Sequence, residues 1–219
     1  METIRGRRPY TLDSIGLNAR LANYNRVILD LGTGDGRLPW TRARETPARF
    51  FVGLDANAAS MRELSGRAAR ERLTNLLYVR AAVESLPVEL AGAADQVSVV
   101  LPWGSLLAAV ALPLPEVLRG IRALCQKGAR LTVVLGSDPA RDRAELQRLG
   151  ISSPQPSGLA SRLAIGYGEA GFTLKAVRAL EPDGLARWPS TWTKRLARGD
   201  GRAFVELEAV AGSARRCAG

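Results

Sequence analysis

Residues 25–37, NRVILDLGTGDGR, are a run of branched apolar residues that delivers Asp30, Gly32, Gly34 and Gly36 to a turn. Glycines there let the backbone approach a ligand closely, and the start of a following helix favours a ligand's polar groups. Asp55 closes the next apolar run, RFFVGLD, where a carboxylate is placed to hold ribose hydroxyls. The pair of signals implies a nucleoside-containing cofactor. A dinucleotide fingerprint fits poorly, because its third glycine falls at position 37, which holds Arg37.

A second constellation lies downstream. Residues 97–107, VSVVLPWGSLL, form a strand that stops at Pro102, Trp103 and Gly104, leaving a large aromatic at the lip of a sheet. Residues 187–202, RWPSTWTKRLARGDGR, add Trp188 and Trp192 among basic residues. Two aromatic faces can hold a base taken out of a helix, each stack contributing roughly 1–3 kcal/mol. Trp103 with Trp188 or Trp192 would make such a sandwich, although any of the three could fill a gap in the core instead. The chain contains no histidine, which removes every mechanism that needs an imidazole base or ligand. Cys125 and Cys217 stand far apart with no metal-like spacing, read as reduced thiols, and leave no metal site.

These residues need a scaffold. Strands are predicted within 25–37, 48–55, 76–87 (strand and turn), 96–102 and 129–137, with a helix capped by Asn57 and another near 115–125. Strands alternating with helices imply a parallel, doubly wound sheet. The tail changes character: 172–180 and 203–210 read as an antiparallel pair joined by a connection without a convincing helix. Residues 1–24 are expected as a hairpin and helix extension, and 138–160 and 181–202 as inserted loops, within a single domain spanning 1–219. Loops of that length are usually functional or disordered.

Charge points to a partner. With 31 Lys and Arg against 21 Asp and Glu, the net charge is +10, which suits a polyanion. Arg5, Arg7 and Arg8 cluster at the start, and Lys194, Arg195, Arg198 and Arg202 near the end. No apolar run approaches the ~20 residues of a membrane span, and the first residues lack the apolar core of a signal peptide. A soluble, cytoplasmic protein, monomeric and without a membrane partner, is the expectation.

The sequence Asp-x-Gly-x-Gly resembles motif I of the class I S-adenosylmethionine-dependent methyltransferases, with Asp55 at the next acidic position and AAVESLP similar to their third motif. The resemblance implies a Rossmann-like fold with a seven-stranded, mostly parallel sheet, and places Glu84 near the adenine of the cofactor. Family members acting on exocyclic amines carry Asn or Asp before the Pro at strand four, to accept from the NH2 group. Here the residue is Leu101, an apolar side chain. A ring nitrogen has its own in-plane lone pair and needs neither that acceptor nor a general base, so alignment of nitrogen, methyl and sulfur suffices.

With LDLGTGDG, NLLY, LPWGSLL, LEP and STWTKRL in this order, residues 25–210 resemble the kanamycin–apramycin resistance methyltransferases. Those enzymes methylate N1 of adenine 1408 of 16S rRNA in the assembled 30S subunit. The resemblance implies that Asp30, Gly32, Gly34, Leu38, Asp55, Val83, Glu84, Leu101, Pro102, Trp103, Gly104, Ser105, Leu106, Ser190 and Thr191 line S-adenosyl-L-methionine. It implies that Trp103 and Trp192 sandwich the flipped adenine, and that Arg195 and Arg202, with Lys194, Arg198 and the basic N-terminus (Arg5, Arg7, Arg8), contact RNA. Val83 stands where a small residue is usual, and the 138–160 insert matches poorly. Methylation of another RNA ring nitrogen, such as a tRNA guanine, and a non-catalytic cofactor-binding module on the ribosome remain alternatives.

Overall fold

A computed structural model describes residues 1–138, 140–151, 156–196 and 202–212. Arg198 and Cys217 lie outside them. The elements run β1 (Glu2–Arg5), β2 (Arg8–Thr11), α1 (Ser14–Leu21), β3 (Arg26–Leu31), α2 (Arg37–Glu45), β4 (Arg49–Asp55), α3 (Ala58–Arg70) and β5 (Leu76–Arg80). There follow β6 (Ala94–Val100), α4 (Gly104–Ala111), α5 (Pro115–Leu124), β7 (Cys125–Ser137), α6 (Arg143–Leu149), α7 (Pro156–Glu169), β8 (Phe172–Leu180), α8 (Thr191–Leu196) and β9 (Ala203–Ala211).

One nine-stranded sheet orders them β2-β1-β5-β4-β3-β6-β7-β9-β8. β3 to β7 are mutually parallel, and β9 pairs antiparallel with both β7 and β8. The strands exceed the expected seven because the N-terminal hairpin joins the sheet: β1 pairs antiparallel with the edge of β5, Thr3 opposite Val79 and Ile4 opposite Tyr78. An edge strand offers unpaired backbone groups, and the hairpin satisfies them.

Successive strand residues point to opposite faces, and β3 and β4 show the consequence. Val27, Leu29, Leu31, Phe50, Val52 and Leu54 pack with helices α1, α4, α5 and α7. Ile28 and Phe51 face the other way, onto Trp40 of α2 and Met61 and Leu64 of α3. Near-continuous apolar runs are what strands covered on both faces require.

The late connection departs from expectation. Residues 181–202 contain a 3₁₀ turn, Pro182–Arg187, and helix α8. Ser190 Oγ accepts from Thr193 N at 3.0 Å while Ser190 N donates to Thr193 Oγ1 at 3.0 Å, a reciprocal cap with Thr in place of the usual Glu. Helix α4, directly after the Pro-Trp-Gly turn, and α6, inside 138–160, were likewise not anticipated, because both are shorter than a sequence period reveals.

Tyr78, 2% exposed, underlies the Gly-rich turn. Its hydroxyl donates to Gly36 O at 2.8 Å, and a Cβ at Gly36 would fall 2.2 Å from its ring. Tyr78→Phe should cost about 1 kcal/mol in urea unfolding, the worth of that one hydrogen bond. Gly36→Ala should cost more, since it adds both the clash and a strained φ.

Candidate active site

The parallel strands end at one level, and a cavity of about 320 Å³ opens there. The turn after β3 forms one wall. Asp55, at the end of β4, accepts from Gly34 N through Oδ2 and from Asn57 N through Oδ1, both at 2.8 Å. Ser60 Oγ donates to Gly34 O at 2.7 Å. The turn is thus held from β4 and α3 at once. Gly34 has φ +60°, and a Cβ there would meet open space.

Asp30 is buried beneath the turn. It accepts from Thr33 Oγ1 at 2.7 Å and Ser98 Oγ at 2.8 Å. Burial pushes its carboxyl up to about 6; those two donors oppose the rise, while the negative charges of Asp55 and Asp35 add to it. At neutral pH the ionised form persists at a cost that a cation in the cavity would offset.

The opposite wall comes from β6 and α4. Leu101 N donates to Val134 O at 2.8 Å, and Leu101 has φ +51°, a left-handed conformation rare for a branched residue. The strain turns the chain so that Pro102 is buried and Trp103 stands 57% exposed. Strain of this kind persists where the surrounding structure enforces it, often at functional sites.

Helix α8 closes the rim. Arg37 Nε donates to Thr191 Oγ1 at 2.9 Å, and that hydroxyl donates to Asp35 Oδ2 at 2.5 Å. Arg42 Nη2 bonds Arg187 O at 2.5 Å. The Gly-rich turn and its helix therefore carry the late connection. Trp192, also 57% exposed, projects from α8, with the Arg195 guanidinium 5.5 Å from its ring centroid. A second cavity of about 320 Å³ shares Leu101, Pro102, Trp103 and Trp192 with the first, and extends to Gly136, Asp142 and Arg202.

Of the fifteen residues expected around the cofactor, thirteen line the first cavity. Gly104 does not, and Thr191 serves in the link to Asp35. Thr33 and Asp35 also line it, and nothing in their spacing marks them out. Trp188 packs partly buried against Val134, Leu185 and Phe204, which settles its place as core. Lys194 borders a separate depression beside Pro182 and Asp183. Arg202 lines the second cavity and forms a two-pronged pair with Asp142, at 2.5 and 3.0 Å, with its side chain 11% exposed. The tip of the basic hairpin, at Arg5, Arg7 and Arg8, runs away from the cavity, because β1 is antiparallel to β5.

Comparison with known proteins agrees with this geometry. The chain matches the NpmA family, described as 16S rRNA (adenine(1408)-N(1))-methyltransferase, over residues 2–211. A protein of that description from Streptoalloteichus tenebrarius is 37% identical over 201 residues, covering 90% of this chain and 92% of the relative. The crystal structure of the aminoglycoside resistance methyltransferase NpmB1 superposes with TM-score 0.82 and 39% identity, covering 96% of this chain and 98% of that one. A tryptophan-to-alanine variant of the 16S rRNA (adenine(1408)-N(1))-methyltransferase from Catenulisporales acidiphilia, solved with cosubstrate SAM, gives TM-score 0.88 at 31% identity, covering 98% of each chain.

Thr191→Val removes the hydroxyl that joins Asp35 and Arg37 to α8. Amide hydrogen exchange over 190–196 should accelerate by an order of magnitude or more, since about 1 kcal/mol is lost per bond. The sheet amides should keep their protection.

Proposed function

Because the chain belongs to the family of 16S rRNA (adenine(1408)-N(1))-methyltransferases, we propose that it transfers a methyl group from S-adenosyl-L-methionine to N1 of that adenine in the 30S subunit. The observation that carries the reading is the contiguity of the two cavities across Trp103 and Trp192. One cavity has the turn, the carboxylates and the open space over Gly34 that suit a nucleoside with a charged tail. The other has two half-exposed indoles that suit a planar base.

S-adenosylmethionine supplies an electrophilic methyl group on a sulfonium. Asp55 holds the ribose hydroxyls through the lone pairs its two backbone donors leave free, and exposed Glu84 lies toward the adenine. Asp30 supplies negative charge deep in the cavity. Trp103 and Trp192 grip the extruded adenine, and Arg195, which covers one face of Trp192, leaves the other face for the base. The pair Asp142–Arg202 forms the back wall of the base pocket. With the cofactor bound, N1 of adenine would take the methyl on its own in-plane lone pair as the sulfur–methyl bond breaks and S-adenosylhomocysteine leaves; no proton is released, so the chain's lack of histidine and the apolar Leu101 are consistent with the chemistry. What the residues contribute is alignment. Lys194, Arg195 and the hairpin arginines meet the RNA backbone. The product carries a methyl and a positive charge on N1, which opposes aminoglycoside contacts and gives resistance.

Reverse transcription across the decoding site of 30S subunits treated with protein and cofactor tests the reading: arrest at adenine 1408 is expected, and full read-through would overturn it. Trp103→Ala and Trp192→Ala should each lower methylation by about 10- to 100-fold, from the ~1–3 kcal/mol of a lost stack. Cofactor affinity by calorimetry should stay within a few-fold of wild type, and its collapse in a folded variant would remove that indole from the sandwich.

Asp30 makes a pH prediction. Below about 6 it takes up a proton and its negative charge is lost, so affinity for the cationic cofactor should fall as pH drops from 7.5 to 5. Affinity for the product S-adenosylhomocysteine, which lacks the sulfonium, should fall less. Asp30→Asn should flatten the difference, and parallel pH profiles for both ligands would show that Asp30 does not sense the sulfonium.

A further inference from the structure

A third cavity, of about 290 Å³, lies behind the first and shares Asp30 and Leu38 with it. The strand register explains its position. Ile28, Gln96 and Arg130 form one row across β3, β6 and β7, and Asp30, Ser98 and Thr132 form the next. Directly paired residues share a face of the sheet, and Ile28 fixes which face it is, the one that packs on Trp40 and Met61 of α2 and α3. Beyond those helices, over β6 and β7, part of that face is left open. The cavity runs alongside α2, from Thr46 and Arg49 at the amino ends of the strands to Leu38 and Asp30. Trp188 of the late connection also lines it.

Three features of this cavity serve nothing in the site described above. Its outer end is cationic: Arg49 and Arg130 are exposed, and neither forms an ion pair among the described residues. They stand on β4 and β7, three strands apart and about 14 Å at the backbone, so they bracket that end. Arg42, by contrast, is engaged by Glu45 and by Arg187 O. The floor is apolar, made by Ile28, Pro39 and Phe51. Finally, the Trp188 Nε1–H is buried and has no hydrogen-bond partner among the described residues. A buried donor left unpaired is costly, and a ligand acceptor would remove the cost. Asp30 is the one carboxylate among the described lining residues, and both its oxygens already accept from Thr33 and Ser98, which leaves little for a cation.

We propose that this cavity is a second ligand site, which takes a small organic anion with an apolar body and a hydrogen-bond acceptor. The carboxylate lies at the outer end with Arg49 and Arg130, the body lies on Ile28 and Phe51, and the acceptor meets Trp188 Nε1. Guanidinium forks match carboxylate oxygens, and a mostly apolar pocket with a few convergent polar groups is the usual form of a small-molecule site. An RNA phosphate would use the two arginines but neither the floor nor the indole. The site stands apart from the methyl-transfer chemistry, behind Asp30 rather than in front of it.

NMR of the four tryptophan indole N–H groups, with S-adenosylhomocysteine saturating the first cavity, tests the site. The Trp188 signal is the one lost in Trp188→Phe. Titration with 4-acetylbenzoate should shift it saturably. Acetophenone, which lacks the charge, and benzoate, which lacks the second acceptor, should each bind about tenfold more weakly. Changing Arg49 and Arg130 together to Ala should weaken 4-acetylbenzoate about tenfold as well, with the urea midpoint and the affinity for S-adenosylhomocysteine unchanged. No saturable shift at Trp188 overturns the proposal, as does acetophenone binding as tightly as 4-acetylbenzoate. A shift that S-adenosylhomocysteine abolishes by competition overturns it too, since the probe then occupies the first cavity. If the double variant loses binding to 30S subunits but keeps the probe, the arginines serve RNA and the proposal falls. Failure of S-adenosylhomocysteine to bind counts against the methylation reading alone, while the Trp188 signal still decides this site.

Discussion

Asp30 stands opposite Gly53 of β4 on one side and Ser98 of β6 on the other, and the rest of the site depends on that register. Parallel strands held in this register finish together and leave a crevice beyond their carboxyl ends. Gly53 must be small, because a Cβ there would lie 3.1 Å from both Pro39 and Thr33. Thr33, brought close in this way, bonds Asp30, and Ser98 bonds it from the other strand. A buried carboxylate would be costly alone; with two hydroxyl donors it becomes a fixed negative centre beneath the turn.

The second dependency links the two halves of the site. Trp103 is positioned by the strand end itself, through the left-handed Leu101. Trp192 has no strand to hold it. It sits on a short helix whose order comes from the Ser190–Thr193 cap and from the contact of Thr191 with Asp35 and Arg37. The residues that shape the first cavity thereby also place Trp192. On the proposed reading, this is how a methyl donor and a base come into line without a general base: the chemistry asks for geometry, and the hydrogen bonds provide it.

The basic character of the chain divides in the same structural terms. Arg202 and Arg187 are held by buried carboxylates, Asp142 and Glu206. The hairpin arginines Arg5, Arg7 and Arg8 are exposed and form no ion pair among the described residues. Counting charge along the sequence treats these groups alike, whereas pairing and burial separate a structural cation from one open to a polyanion.

Much of the fold was legible because it is written in local pattern. The apolar runs of β3, β4 and β6, the glycines at 32, 34 and 36, and the Asn57 cap are short-range signals, and each stands where it was expected. Of the thirteen expected cofactor residues that meet at one cavity, twelve, Trp103 among them, do so for the same reason: they lie at or just beyond strand ends. What resisted reading was set by distant partners. Whether Trp188 or Trp192 faced the cavity depended on which one the Val134–Phe204 cluster would bury. The pairing of Arg202 with Asp142 spans 60 positions, and that of Thr191 with Asp35 spans 156. Sequence alone determined the sheet, its Gly-rich turn and the aromatic at the strand end, since these follow from periodicity and backbone freedom. Only the tertiary structure decided which cations are ion-paired and which tryptophan stands at the cavity, because those outcomes turn on contacts that no local spacing records.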